Sequence, residues 1–77
     1  MLTRKAVVTV LRASRNEAEL TQRELVDRLP KWLGFKQTTL AKIEKGRRRV
    51  DVAEFIEIAK ALKLDPKTLL GRVLSWK

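Results

Sequence analysis

The sequence predicts an all-α fold, a bundle of five short helices. Three observations carry this. Apolar residues recur at helical spacing in five separate stretches, and no segment alternates in the manner of a strand. Ser/Thr/Asp caps, Pro or Gly mark the ends of these stretches. The connections are short, so the helices must pack as one compact unit. The helices fall at about residues 3–16, 22–30, 37–45, 52–63 and 66–74, and residues 1–77 are read as a single domain.

The first helix runs from Thr3 to about Asn16. Val7, Val10, Leu11 and Ser14 form its stripe, with Arg4, Lys5, Arg12 and Arg15 beside it, and Val8 lies off the stripe, toward a second surface. Thr21-Gln22-Arg23-Glu24 is a capping box opening the second helix, and Leu25, Val26 and Leu29 give its apolar face. Pro30 stops or kinks it, because proline lacks an amide donor and clashes with the preceding turn. A third helix carries Leu40 and Ile43 inward, and Gly46 suits the position just past its end. Asp51-Val52-Ala53-Glu54 is a second capping box, followed by Phe55, Ile58, Ala59 and Leu62. Asp65-Pro66 opens the last helix, with Leu69, Leu70, Val73 and Leu74 as its stripe.

A core of this size stabilises a fold by roughly 3–5 kcal/mol. The 77 residues contain no Cys and no His, which removes disulfides, thiolate metal sites and the commonest general base. No glycine-rich phosphate loop and no metal-ligand cluster is legible, and the capping box accounts for the Asp51/Glu54 carboxylate pair. Catalysis, cofactors and metals are therefore not expected. No apolar run approaches the roughly 20 residues of a membrane helix, and Arg12 and Arg15 interrupt any leader-like start. A soluble cytoplasmic protein is expected.

The net charge is +9, and it is unevenly spread. Residues 1–35 carry +3, residues 36–50 carry +5 and residues 51–77 carry +1. A local basic patch is the electrostatic footprint of a polyanion, although a solubilising surface accounts for the charge equally well on this ground alone.

The ordered signals resemble the Cro/Xre-type helix-turn-helix domain of phage repressors. The matching pieces are Leu11-Arg12, Arg15, Leu20-Thr21-Gln22, Glu24-Leu25, Gly34, Gln37-Thr38, Ile43-Glu44-Lys45-Gly46, Phe55, Ile58-Ala59, and Ala61-Leu62 ahead of Asp65-Pro66. No piece is specific by itself; their order and spacing from about Leu11 to Leu70 are. One departure stands out. Family members place the glycine directly after the second-helix leucine, whereas here Pro30-Lys31-Trp32-Leu33 separate Leu29 from Gly34. Either the second helix gains a turn or the connection is enlarged.

The resemblance implies double-stranded DNA as partner, with the third helix in the major groove. Gln37, Thr38 and Lys42 match base-contacting positions. Gln22 matches a phosphate-bonding position that also braces the residue opening the third helix. Lys36, Lys45, Arg47, Arg48 and Arg49 flank that helix and are expected on phosphates, one of the arginines alternatively in a narrow minor groove. Thr39 points inward or caps. Arg15 and Glu44 match a structural ion pair. The bland alternative for each polar residue is an ordinary solvated side chain.

A homodimer is expected, because one short helix reads too few base pairs to identify a promoter. Leu70, Val73, Leu74 and Trp76 are the expected seam, and Trp32 with Leu33 the rival one. Trp32 and Trp76 are read as core or interface anchors. The competing function is that of an antitoxin, which binds a toxin and represses its own operon. A membrane-active basic helix is disfavoured, because Glu24, Asp27, Glu54 and Glu57 break every continuous basic face.

Overall fold

The computed structural model describes residues 4–76. It contains α1 (Arg4–Glu17), α2 (Gln22–Asp27), α3 (Gln37–Glu44), α4 (Val52–Ala61) and α5 (Pro66–Ser75), with no strand among the described residues. Thr3, placed in the first helix above, lies outside the described residues.

Local hydrogen bonds set the helix starts. Thr21 Oγ1 accepts from the Glu24 amide at 3.1 Å, and Glu24 Oε1 accepts from the Thr21 amide at 2.9 Å. Asp51 and Glu54 repeat the exchange at 2.8 and 3.0 Å. Asp65 Oδ1 accepts from Lys67, and Pro66 occupies the first turn of α5, where its missing N–H costs nothing.

Two helices end earlier than their apolar spacing implies. Leu29 and Leu62 continue the apolar spacing of these helices, and both are buried, at 8% and 6% exposure. Burial does not require helical backbone. α2 stops at Asp27, and the Arg28 and Leu29 amides close tight turns on Leu25 and Val26 at 3.0 Å. α4 stops at Ala61, after which Lys63 takes a left-handed conformation (φ 59°).

The four extra residues enlarge the connection rather than lengthen α2. Lys31–Leu33 form a single 3₁₀ turn, closed by the Leu33 amide on the Pro30 carbonyl and the Gly34 amide on Lys31. Gly34 reverses the chain at φ 68°, a conformation that an L side chain adopts only with strain.

α3 packs on α1 and α2, while α5 packs on α1 and α4. Leu11, Leu25, Leu40, Ile43, Ile58 and Leu69 are the large side chains wholly enclosed where these surfaces meet. Two of the six come from α3, so the helix with the polar outer face is also a central core element.

Candidate nucleic-acid interface

α3 turns two different faces to its surroundings. Leu40 and Ile43 point into the core at 1% and 0% exposure. Gln37, Thr38 and Lys42 are exposed on the opposite side, followed by Lys45 just past the helix end. At 1.5 Å per residue the eight residues span about 12 Å, comparable to the width of the B-DNA major groove. Lys36 precedes the helix in extended conformation (φ −117°), and its amide donates to Thr39 Oγ1 at 3.2 Å. Thr39 therefore caps.

A buried polar network fixes this helix. Arg15 Nε donates to Glu44 Oε2 at 2.7 Å, and its Nη2 to Oε1 at 2.9 Å. The two side chains are only 11% and 4% exposed. Arg15 Nη1 also donates to the Leu20 carbonyl at 2.7 Å, holding the α1–α2 connection. Gln22 Nε2 adds a third donor to Glu44, at 3.0 Å to Oε1. One carboxylate thus joins α1, α2 and α3. The hydrogen bond from the guanidinium to Glu44 is the main reason that the Arg15 pKa lies above its ordinary value. Gln22 is committed to this network through one amide hydrogen, an arrangement that its position at the start of α2 does not announce.

The C-terminal end of α3 is held by backbone contacts. Gly46 closes the helix in left-handed conformation (φ 75°) with its amide on the Ile43 carbonyl. Its own carbonyl accepts from Arg4 Nη1 at 3.3 Å, tying the end of α3 to the start of α1.

The flanking cations divide into two groups. Lys36, Lys45, Arg47 and Arg49 are exposed. Arg48 was expected beside them on phosphate, but its guanidinium meets the Glu54 carboxylate at 3.0 and 2.8 Å and stacks on the Phe35 ring, 5.2 Å from the centroid. The pair spans six residues across the α3–α4 loop, and Glu54 had been fully accounted for as a cap. It does both: Oε1 receives the Asp51 amide and Arg48 together.

The Glu54 carboxyl is held below its ordinary pKa, first by the Arg48 hydrogen bonds, against the opposing pull of burial. A carboxyl depressed in the folded state stabilises the fold above its unfolded pKa, and that contribution fades as pH falls through the folded value. Glu54→Gln should therefore lower stability at pH 7 and approach the parent protein below about pH 4, the region of carboxylate titration. Urea midpoints of both proteins across pH 3–7 check this; a constant gap between them would show that Glu54 ionisation does not matter.

Of the four residues expected at a seam on the last helix, Val73 belongs mainly to the chain's own core. It is 2% exposed and shows only in the lining of an apolar groove beside α4 and α5. Leu70 and Leu74 remain outward, at 38% and 63% exposure. Trp76 packs partly against the core, with Lys5 Nζ 5.8 Å from its ring centroid. Trp32, read as a core or interface anchor, is 69% exposed and is no core residue. Leu33 beside it packs inward.

Among the described residues no group of three or more His, Cys, Asp or Glu side chains is placed to hold a metal ion. None of their helices is long and apolar enough to cross a membrane.

A short helix with an exposed polar face, packed on α2 and flanked by cations, has the arrangement of a helix-turn-helix unit. Residues 6–70 match the family model described as a helix-turn-helix domain. Among solved structures, an XRE-family like protein from Pseudomonas syringae pv. tomato str. DC3000 is similar at 33% identity and a TM-score of 0.78. That match covers 94% of this chain and 83% of the other. The comparison with curated proteins gives no match. The chain belongs to the Xre-type helix-turn-helix family.

Proposed function

We propose that this protein is a dimeric transcriptional repressor that reads a near-palindromic operator with α3 in the cytoplasm of a bacterial cell, and that it catalyses no reaction. The observation that carries the reading is the exposed stripe Gln37–Thr38–Lys42 on a helix fixed by the Arg15–Glu44–Gln22 network. Gln37 is assigned to the N7 and N6 positions of adenine, Lys42 to guanine, and the Thr38 methyl to a thymine methyl. Lys36, Lys45, Arg47 and Arg49 are assigned to phosphates, together with the second amide hydrogen of Gln22. Arg48 instead holds the loop that carries Arg47 and Arg49.

The dimer seam is assigned to α4 and α5. An apolar groove of about 400 Å³ runs there between Val7, Val50, Phe55, Ile56 and Leu70. Val52, at 75% exposure, and Leu74 stand out close by. Two domains paired by a two-fold axis place their reading helices about 34–36 Å apart, one turn of DNA.

Selection of bound duplexes from a random pool tests this reading. The expected product is a site with two related half-sites. Gln37→Ala should erase the preference at one or two base pairs in each half-site, by about 1–3 kcal/mol per contact. Sedimentation should show two chains per duplex, and Leu74→Glu should abolish the second. A single asymmetric half-site, protected by one chain, would refute the dimer; an unaltered motif from Gln37→Ala would refute the assignment of α3.

A further inference from the structure

The enlarged connection between α2 and α3 carries an indole that the fold does not use. Pro30 is half-buried, Leu29 is buried, and Leu33 and Phe35 pack against the core. Trp32 alone among the large apolar residues of this turn faces outward, 69% exposed. The turn that presents it is well anchored. Its backbone closes on Pro30 and Lys31, and Arg48 clamps the Phe35 ring that ends it. The backbone that carries the indole is thus held in place, while the ring itself stands in solvent.

Two features say what covers it. Trp32 precedes Gln37 by five residues, which even a fully extended chain stretches to no more than about 18 Å. The major groove is about 12 Å wide, so a side chain within that range of the reading residues can reach the groove wall. The wall is sugar and phosphate. The exposed side chains on either side of the turn are Lys31 and Lys36, both cationic. Arg28 is committed to the Ala61 carbonyl at 3.3 Å, and the nearest acid along the chain, Asp27, lies back at the end of α2.

We infer that Trp32 is a DNA-backbone contact: its ring lies on deoxyribose beside the major groove, and its Nε1–H donates to a phosphate oxygen between Lys31 and Lys36. It sets the depth and register of α3 without reading a base. This inference rests on the DNA-reading role proposed for α3.

The experiment uses the full chain labelled with 5-fluorotryptophan and a duplex carrying the selected site. Two fluorine resonances are expected, and the one lost in Trp32→Phe is residue 32. On saturation with duplex that resonance should shift and lose its sensitivity to the exchange of H₂O for D₂O. Trp32→Ala should weaken the selected and a scrambled duplex alike, by about tenfold, as expected for a central aromatic contact. Its salt dependence should stay unchanged, because no charge is removed. A residue-32 resonance that ignores a bound duplex, or a Trp32→Ala protein of undiminished affinity, overturns the inference and leaves the function above standing. Loss of self-association in Trp32→Ala also overturns it, making the indole a contact between copies. Failure of the labelled protein to bind any duplex overturns both readings.

Discussion

Glu44→Ala is expected to lower the melting temperature by at least about 12 °C. The carboxylate receives three side-chain hydrogen bonds, two from Arg15 and one from Gln22, in a site where it is 4% exposed. Removing it strands the Arg15 guanidinium, itself 11% exposed. Breaking a buried pair from one side costs about 3–5 kcal/mol. For a domain of this length each kcal/mol corresponds to roughly 4–8 °C. A fold stabilised by only a few kcal/mol has little left after such a loss, so the variant should be partly unfolded at 37 °C. Arg15→Met should cost less, since its apolar stem still packs, and Glu44 then keeps Gln22. A double-mutant cycle should return coupling of about 0.5–3 kcal/mol. Strictly additive losses would mean that the short N–O distances carry no mutual stabilisation.

The second large effect concerns salt. Four exposed cations per chain, Lys36, Lys45, Arg47 and Arg49, give eight in a dimer. Counterion release then sets a slope of about −7 for log affinity against log salt, and the affinity should fall about 10³–10⁵-fold between 50 and 200 mM. Arg47→Ala should flatten that slope by about two in a dimer and weaken all sequences equally. Arg48→Ala should behave differently. Its guanidinium already has the Glu54 carboxylate as partner, so its loss should loosen the α3–α4 loop and lower stability without flattening the slope to the same degree. If both substitutions flatten it equally, Arg48 leaves Glu54 for phosphate when DNA binds.

The parts of this fold that were legible in the sequence are those set by chemistry within one turn of chain. Thr21/Glu24, Asp51/Glu54 and Asp65-Pro66 mark helix starts because each cap is a hydrogen bond spanning two or three residues. The helix ends were less legible. Glu19 and Lys63 adopt left-handed backbone at φ 57° and 59° with no glycine to signal it. The exposed polar face of α3 could be placed from family position and amphipathic spacing. Its supports could not all be placed: Gln22 reaches Glu44 across 22 residues, and Arg48 finds Glu54 across a loop. Such pairings depend on the angle between helices, which apolar periodicity leaves open. Val73 shows the same limit from the other side. Its spacing puts it on a stripe shared with Leu70, but that stripe is wide enough for one edge to face inward and the other outward.

The anchoring of α3 has a consequence for how this protein can change. Leu40, Ile43 and Glu44, together with Gly46, hold the helix at its rear and at its end, whereas Gln37, Thr38 and Lys42 stand in solvent. On the proposed function, the letters that spell the operator are thus kept apart from the hardware that orients them. Exchanging those three exposed side chains should redirect the protein to a new site with little penalty in folding, so that a duplicated gene could acquire a different target through a few codons while inheriting an intact scaffold.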